Sequence, residues 1–236
     1  MQINGTKALV TGANRGLGKA FAEALVARGA TTVYATARNP DRIDIPGVVP
    51  LQLDITDAAS IAAAAAEVGN LDILINNAGI STDAPLLGPS MDNIRREFDT
   101  NFWGTLNVTR AFAPSLAGGA ILNVISALSW YAFAPSSNGY AASKAAEWSL
   151  TNGIRLELAD QKTQVTALAL AIADTDMMAG YDIPKLAPIE VVTQALDGLE
   201  AGKLEVIADR PTANVKASLS KDPALFYADI ATALFS

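Results

Sequence analysis

The sequence predicts an α/β fold: a single domain over residues 1–236, built on a doubly wound parallel sheet of about seven strands flanked by helices. Short apolar or β-branched runs alternate with longer, alanine-rich amphipathic runs, which is the pattern of successive strand–helix units. The apolar runs are nearly continuous, as in strands that are buried on both faces. No internal repeat or low-complexity linker divides the chain.

The N-terminal half predicts four strands and two helices. The strands are the apolar runs Lys7–Thr11, Thr32–Thr36, Val48–Leu53 and Leu71–Ile75. One helix, Gly16–Arg28, follows a glycine-rich turn. The other, Asp57–Val68, contains a run of alanines that favours a helix packed closely on the sheet.

The C-terminal half continues the alternation with longer helices. Its predicted strands are Ala120–Ile125, Gln164–Leu170 and Glu205–Ala208, and its predicted helices are Pro89–Leu116, Asn138–Asp160 and Pro188–Ala201. A helical tail follows at about 212–236. Its apolar side chains suit docking on the body or on a neighbouring subunit, and they are Leu225, Phe226, Ile230, Leu234 and Phe235.

The composition excludes several kinds of chemistry. The net charge is -7 and no basic cluster is present, which argues against a nucleic-acid partner. The chain has no cysteine and no histidine. Disulfides, thiolate catalysis, Ser-His-Asp triads and the common zinc motifs are therefore excluded, and we expect no metal.

The N-terminus and the apolar runs predict a cytoplasmic protein with no membrane partner. The first residues contain no basic region followed by an apolar stretch of signal-peptide length. The longest apolar run, Val165–Ala173, has nine residues. A membrane-spanning helix needs roughly 18 or more.

A glycine-rich loop follows the first predicted strand. It reads Thr11-Gly-Ala-Asn-Arg-Gly-Leu-Gly18 and opens a predicted helix. Glycines at such a turn let the backbone approach a pyrophosphate, whose charge the helix N-terminus then meets. This context predicts a Rossmann-type dinucleotide site; the alternative is a tight turn without a ligand.

The residues after the second strand bear on the choice of dinucleotide. An acid at this point binds the ribose of NAD, whereas an arginine meets the 2′-phosphate of NADP. The strand ends at Arg38, no acid is present, and Arg15 lies in the glycine loop. We therefore expect NADP(H) to be preferred over NAD(H); the alternative is that both arginines are ordinary surface residues.

Tyr140 and Lys144 form the best proton-donating pair in a chain without histidine. They are four residues apart on a predicted helix, so that their side chains share one face. A nearby positive charge lowers the pKa of a tyrosine, and we expect Lys144 to do so. Taken alone, the spacing also suits a half-buried tyrosine beside a solvated lysine.

Five motifs in order resemble the short-chain dehydrogenase/reductase family, over about Lys7 to Met178. The glycine loop is similar to the TGxxxGxG motif of this family, and Asn76–Gly79 is similar to its NNAG motif. Four residues match its catalytic tetrad: Asn101, Ser126, Tyr140 and Lys144. Singly, the polar residues among these are also explained by a helix interior or a strand end.

The resemblance implies the following roles. Ser126 would donate a hydrogen bond to a substrate carbonyl, Tyr140 would give that oxygen a proton, Lys144 would bind the ribose, and Asn101 would hold a water leading to Lys144. Asp54 would contact the adenine or, alternatively, is only a turn residue. The implied cofactor-binding residues are Gly12, Asn14, Arg15, Gly16, Leu17, Gly18, Arg38, Asp54, Ile55, Asn77, Ala78, Gly79, Tyr140, Lys144 and Thr175.

The implied activity is NADPH-dependent, reversible reduction of a ketone or aldehyde, with a short substrate lid at about 175–188. The expected substrate pocket is apolar, and each of its residues alternatively belongs to the core or an interface: Ser126, Leu128, Trp130, Tyr131, Phe133, Met177, Met178 and Tyr181. A dinucleotide-binding sensor or scaffold without turnover is the rival from another class, and an imine or enone reductase is a third option.

The resemblance also implies a homodimer or homotetramer that assembles through the helices at 89–116 and 138–160. Trp148 and Phe112 are either anchors of that interface or core residues. Two departures from the family pattern stand out. The loop Leu128–Asn138 carries one extra residue, with Ser129 as a lesser rival for the serine role. The usual Pro-Gly pair after the sixth strand is missing at 170–173, which predicts an altered turn there.

Overall fold

The computed structural model describes the backbone of residues 1–235 and the side chains of residues 1–230. Seven strands form one sheet in the order β3-β2-β1-β4-β5-β6-β7, and every neighbouring pair is parallel. The strands are β1 (Lys7–Val10), β2 (Thr32–Ala37), β3 (Val49–Gln52), β4 (Ile73–Asn76), β5 (Ala120–Val124), β6 (Gln164–Ala169) and β7 (Glu205–Ile207). The predicted α/β fold and all seven predicted strands are confirmed.

Helices cover both faces of this sheet. They are α1 (Gly16–Ala27), α2 (Ala58–Val68), α3 (Met91–Phe98), α4 (Thr105–Phe112), α5 (Asn138–Glu157), α6 (Pro188–Glu200), α7 (Arg210–Ala217) and α8 (Pro223–Phe235). None of the helices within residues 1–235 has the length and the apolar character needed to cross a membrane.

The core lies in two layers, one on each face of the sheet. Successive side chains of a strand point to opposite faces, and β4 accordingly sends Ile73 into the layer with Phe21 and Leu74 into the layer with Phe112. Phe112 is thus a core residue of the single chain. Trp148 packs edge-on against Trp130, with ring centroids 6.5 Å apart.

The predicted single helix over Pro89–Leu116 is wrong in detail. Between α3 and α4 the chain forms a wide π-helical turn, Asp99–Gly104, and after α4 it forms a 3-10 turn, Ala113–Ser115. Hydrophobic spacing does not reveal such a turn, because the apolar stripe resumes after it. The turn holds buried Asn101, whose amide bonds the backbone of another segment.

The C-terminal tail docks on the body of the same chain. Val215, Phe226 and Ile230 form a small apolar cluster with Trp130 and Tyr131. The hydroxyl of Tyr227 also accepts a hydrogen bond of 3.3 Å from the backbone of Ala132. Leu225 is exposed, and the side chains of Leu234 and Phe235 lie outside the described residues.

Candidate active site

The candidate site lies at the carboxyl edge of the sheet, between β1 and β4. The strand order reverses its direction at this point, since β1 leads outward to β2 and β4 leads outward to β5. Ligands of open parallel sheets bind in the crevice beside such a reversal. The glycine loop follows β1, residues 77–79 follow β4, and Ser126 comes shortly after the end of β5.

The glycine loop takes a conformation that requires glycine. Gly12 and Gly16 have φ of 66° and 55°, in the left-handed region that favours residues without a Cβ. At Gly18 an added Cβ would lie 2.2 Å from the carbonyl oxygen of Gly12. The loop is therefore folded tightly back on the first turn of α1.

Thr11 and Asn77 bind the glycine loop to the loop after β4. The Thr11 hydroxyl accepts hydrogen bonds from the backbone N–H groups of Asn77 and Ala78, at 2.9 and 3.0 Å. The Asn77 side-chain amide donates to the carbonyls of Thr11 and Gly12, at 2.9 and 3.3 Å. The two loops consequently form one rigid wall of the crevice.

These residues fit the pyrophosphate of a dinucleotide. No described side chain caps the N-terminus of α1, and its first turn carries no acidic residue. The first-turn N–H groups and the positive end of the helix dipole are therefore available to an anion. The closeness of backbone to backbone around Gly12 and Gly18 suits an approach by phosphate oxygens.

The two arginines expected at a 2′-phosphate lie in different surroundings. Arg38 is exposed, and within residues 1–230 no carboxylate forms an ion pair with it. Arg15 pairs with Asp176 at 3.2 Å, and both of these side chains are largely exposed. This pair connects the glycine loop to the segment that follows β6.

Asp54 holds a turn. Its carboxylate accepts hydrogen bonds from the backbone and the hydroxyl of Thr56, at 2.9 and 2.7 Å. Burial raises the pKa of Asp54, but these hydrogen bonds and the charge of Arg38 outweigh burial and lower that pKa. The turn alternative thus has direct geometric support, and contact with the adenine stays a prediction.

The surroundings of the other expected cofactor residues differ from one residue to the next. A Cβ on Gly16 would lie 3.2 Å from Thr175, and a Cβ on Gly104 would lie 2.7 Å from Ile55. Leu17 packs on the core beneath the loop, and Asn14 is half-buried. A Cβ on Gly79 would lie 3.2 Å from Oδ1 of Asn101 and 3.6 Å from Nζ of Lys144, which places that loop beside the tetrad.

Ser126, Tyr140 and Lys144 come together, as the motif predicts. Ser126 lies close enough to Tyr140 to lower the pKa of that phenol, and its Oγ accepts from the backbone of Leu128 at 3.1 Å. Nζ of Lys144 lies 5.8 Å from the centre of the Tyr140 ring. The Ser129 hydroxyl accepts a 3.3 Å hydrogen bond from the backbone of Ser126, so that Ser129 supports Ser126 rather than pointing at Tyr140.

The amide of Asn101 joins the tetrad to the loop after β4. Its Oδ1 accepts from the backbone of Ile80 at 2.9 Å, and its Nδ2 donates to the carbonyl of Ile80 and to the hydroxyl of Ser143, both at 2.9 Å. Both amide hydrogens are thus in use, and Oδ1 retains one lone pair. The water that Asn101 is expected to hold stays a prediction.

Glu147 is a member of the site that the motif does not include. Its Oε2 accepts a 2.6 Å hydrogen bond from Nζ of Lys144, and both side chains are almost fully buried. Its Oε1 accepts from the hydroxyl of Thr105 at 3.3 Å. An acid three residues after Lys144 on a predicted helix was the available signal, because residues at i and i+3 are neighbours.

Lys144 lowers the pKa of Tyr140, as expected, but it does not set the net direction. Burial raises the pKa of Tyr140; Lys144 and the hydrogen bond from Ser126 oppose this, while Glu147 and Glu97 add to it. The net result is a raised pKa, because burial, together with the two carboxylates, outweighs Lys144 and Ser126. The site therefore keeps the phenol protonated, which is the form that donates a proton.

A cavity of about 180 Å³ lies beneath the C-terminal tail, and its lining includes Ala127, the residue that follows Ser126 in the chain. It is lined by Ala127, Tyr131, Ala171, Arg210, Pro211, Thr212, Asn214, Val215, Ser218, Asp229 and Ile230. Most of this lining comes from α7 and α8, which sequence reasoning did not connect with the substrate. The hydroxyl of Thr212 is buried and has no hydrogen-bond partner among the described residues.

Tyr131 is the one expected substrate-pocket residue on that list. Leu128 and Met178 are half-buried, and Trp130 packs on Trp148. The remaining three are largely exposed: Phe133, Met177 and Tyr181. The segment 175–187 contains one 3-10 turn, Asp176–Met178. Near its end, Leu186 forms a β-bridge to Ala173, which precedes the segment.

The segment 170–173 accommodates the missing Pro-Gly pair without strain. Among the described residues, the non-glycine positions with positive φ are Asp83 and Lys162, so the backbone at 170–173 does not require glycine. Asp209 holds this turn through a 2.7 Å hydrogen bond to the N–H of Ala171. The same carboxylate caps α7 by accepting from Thr212.

The sequence and the fold are similar to those of known proteins. Residues 6–184 match a family model described as short chain dehydrogenase. A sorbitol dehydrogenase of Cereibacter sphaeroides is 35% identical over 195 residues, covering 77% of this chain and 76% of that protein. Carbonyl reductase [NADPH] 2 of Sus scrofa is 31% identical over 185 residues, covering 75% of each.

Among solved structures, a short chain dehydrogenase from Burkholderia cenocepacia J2315 in complex with NADP has a TM-score of 0.92 to this chain. The two are 40% identical, and the match covers 98% of this chain and 99% of the other. The similarity thus extends beyond residue 184 into the tail.

Proposed function

Since the chain belongs to the short-chain dehydrogenase family of oxidoreductases, we propose that it reduces a ketone or aldehyde to an alcohol with NADPH, reversibly. The observation that carries this proposal is the cluster of Ser126, Tyr140 and Lys144 at the end of β5. It supplies a proton donor and a charge beside the loop 77–79, which is bonded to the glycine loop.

The chain's own residues perform the proton transfer. Ser126 donates a hydrogen bond to the carbonyl oxygen of the substrate and orients it toward Tyr140. Tyr140 gives its phenolic proton to that oxygen as negative charge develops there. Lys144 stabilises the resulting phenolate with its ammonium, which already lies within 5.8 Å of the ring.

A bound nicotinamide cofactor would supply the hydride. The residues that would hold it are the glycine loop, the loop 77–79, Thr175 and Lys144. In the oxidative direction the same groups act in reverse, with Tyr140 as the base. Carbonyl reduction needs the protonated phenol, and the raised pKa of Tyr140, caused first by burial, extends that form to higher pH.

Three observations support NADP(H) over NAD(H). Arg38 is exposed just after β2 and forms no ion pair within residues 1–230, and Arg15 lies in the glycine loop. No acidic residue ends β2. The Burkholderia structure was determined with NADP, and the porcine relative is named for NADPH.

The cavity beneath the C-terminal tail, which reaches Ala127, supports an apolar substrate of small size. Its walls are mostly apolar, and such walls favour apolar substituents on either side of a carbonyl. An imine or enone reductase would use the same tetrad, and so the substrate panel must include both classes. A sensor without turnover is disfavoured by the complete tetrad.

The decisive experiment compares wild type with Tyr140→Phe. We expect wild type to oxidise NADPH in the presence of apolar ketones or aldehydes, and the variant to lose at least about 100-fold in turnover while it still binds NADPH. Binding is followed by the change in cofactor fluorescence. Equal turnover in both proteins would remove Tyr140 from the mechanism, and NADPH binding without turnover of any carbonyl would favour the sensor.

We also propose a cytoplasmic location and a homodimer or homotetramer. Several apolar side chains on α5 and on the segment from α3 to α4 are exposed in the single chain, including Leu156 on α5 and Trp103 in the π-helical turn. Exposed apolar surface of this kind is common at subunit interfaces. Light scattering on the eluting protein gives the mass directly, and a mass of one chain would contradict the assembly.

A further inference from the structure

The proposed proton transfer uses Lys144 but gives no role to Glu147, whose carboxylate contacts Lys144 directly. Nζ of Lys144 donates to two acceptors, the carbonyl of Val124 at 2.9 Å and Oε2 of Glu147 at 2.6 Å. An ammonium has three donors. One donor is thus left for the cofactor ribose, and the other two fix the direction in which it points.

We propose that Glu147 is a positioning residue that holds Lys144 in its charged form and thereby stabilises the fully protonated Tyr140–Lys144 pair, the state that reduces a carbonyl. This inference rests on the proposed function. It goes beyond it by giving a role to a residue outside the tetrad, which acts on the reaction only through Lys144.

The burial of the pair gives the physical reason. The side chains of Lys144 and Glu147 are 5% and 2% exposed, and an isolated ammonium at such a site would lose its proton readily. Burial lowers the pKa of Lys144, but Glu147 and, to a smaller degree, Tyr140 outweigh burial and raise that pKa. The hydroxyl of Thr105 holds the other carboxylate oxygen, so the acid itself is fixed.

The remaining charged group near Tyr140 is Glu97, on α3. It is fully buried, and its Oε1 accepts from the backbone and hydroxyl of Thr82 at 2.7 and 3.0 Å. Its Oε2 has no hydrogen-bond partner among the described residues. Glu97 affects Tyr140 less than Glu147 does, and no hydrogen bond connects it to Lys144 in the described part of the chain.

Removing the charge of Glu147 leaves the pair with one uncompensated positive charge. The first proton then leaves the pair at lower pH, and it does so whether Tyr140 or Lys144 releases it. Either loss stops carbonyl reduction. The pH above which the reductive rate falls is therefore lower. The midpoint of that fall is a property of Tyr140 and Lys144 together, not of either residue alone.

The test is the pH profile of reductive turnover for wild type, Glu147→Gln, Glu147→Asp and Glu97→Gln. For Glu147→Gln we expect the ratio of the rate at about pH 9 to that at about pH 7 to fall at least about threefold below the wild-type ratio. Glu147→Asp keeps the negative charge but, because its side chain is one methylene shorter, moves the carboxylate away from Lys144. It should keep most of the alkaline activity while KM for NADPH rises at least about threefold.

Glu97→Gln is the matched control, because it removes a buried carboxylate that does not bind Lys144. It should change the ratio much less than Glu147→Gln. An equal change in both variants would assign the effect to buried charge in general and overturn the proposal. If Glu147→Gln does not fold, the result for Glu147→Asp tests the proposal instead. A wild-type alkaline rate together with a wild-type KM for NADPH in that variant would overturn the proposal.

A readout without turnover separates this inference from the proposed function. Protein labelled with ¹³C at tyrosine Cζ and ¹⁵N at lysine Nζ reports both charges by NMR, with assignments from Tyr140→Phe and Lys144→Met. In Glu147→Gln at least one of the two resonances should titrate at lower pH than in wild type. Unchanged titration of both overturns the inference even if the enzyme is active, whereas a shift in a protein that reduces no carbonyl overturns only the proposed function.

Discussion

The side-chain amide of Asn77 donates a hydrogen bond of 2.9 Å to the carbonyl of Thr11, and so joins two loops that are 66 residues apart in the chain. The same amide reaches the carbonyl of Gly12 at 3.3 Å. One side chain thus satisfies two backbone groups that the glycine-rich turn leaves without helical partners.

We expect Asn77→Ala to lower both stability and cofactor affinity. The variant leaves two partly buried carbonyls without this donor, which costs about 1–3 kcal/mol in the free energy of unfolding. Urea unfolding measures that loss, and fluorescence titration measures the dissociation constant for NADPH. In Asn152→Ala, which loses a hydrogen bond to Trp148 on α5, stability should fall while the dissociation constant stays unchanged. A wild-type dissociation constant in Asn77→Ala would contradict the role of the two joined loops.

We expect Gly18→Ala and Gly153→Ala to act in opposite directions. At Gly18 the new methyl would lie 2.2 Å from the Gly12 carbonyl and 2.5 Å from Nδ2 of Asn77. The backbone must shift, which costs about 1–3 kcal/mol and should weaken NADPH binding. At Gly153 no atom lies within 4 Å of the new methyl, and alanine there should stabilise the helix by up to about 1 kcal/mol. Thermal unfolding of both variants checks this contrast; equal melting temperatures would refute it.

We expect Arg38→Ala to raise KM for NADPH at least about tenfold and to leave KM for NADH nearly unchanged. A charge-assisted hydrogen bond to a phosphate contributes about 1.5–3 kcal/mol, and 1.4 kcal/mol is a factor of ten. Arg42→Ala is the control, because Arg42 is an exposed arginine of the neighbouring 3-10 turn. If both variants change the two KM values equally, Arg38 does not select the cofactor.

We expect the protein to lose stability in alkali, in part through Tyr131. Burial, with a smaller contribution from Asp209, raises the pKa of Tyr131 in the folded chain. Above the ordinary tyrosine pKa of about 10 the unfolded chain therefore holds fewer protons at this residue, and unfolding releases them. Stability from this residue is complete below that pH and is lost as pH rises through the folded value.

Urea midpoints at about pH 8 and about pH 10.5 test this expectation. The drop between the two should be smaller in Tyr131→Phe than in wild type. Tyr181→Phe, which removes the hydroxyl of a largely exposed tyrosine, should drop as wild type does. A drop in Tyr131→Phe as large as that of wild type would contradict the assignment.

The strands and the glycine loop could be predicted because their signals are local. Each strand is a continuous apolar run, and the glycines stand where positive φ or a close approach requires them, as at Gly12 and Gly18. The tetrad could be placed through the family resemblance, with the i, i+4 spacing of Tyr140 and Lys144 to support it.

The rest depends on contacts between distant segments. Spacing gives the distance from Tyr140 to Lys144 but not the depth at which both are buried, and burial decides the direction of the Tyr140 pKa. In the sequence, Glu147 resembles any other acid on a helix. Its role depends on two distant contacts, the hydrogen bond from Thr105 to Glu147 and the one from Lys144 to the carbonyl of Val124. The cavity wall from α7 and α8 likewise follows from the docking of the tail, which the sequence left open.

The π-helical turn at Asp99–Gly104 has a consequence for insertions and deletions. A turn of this kind contains one more residue than an α-helical turn, and here it contains Asn101. Deleting one residue within it would let α3 and α4 merge into a regular helix while each keeps its own buried face. Such a shortened chain would retain its fold and lose the amide that clasps Ile80 and Ser143. A relative that is one residue shorter at this turn can therefore fold normally and yet be inactive, although every residue of the Ser126–Tyr140–Lys144 cluster is unchanged.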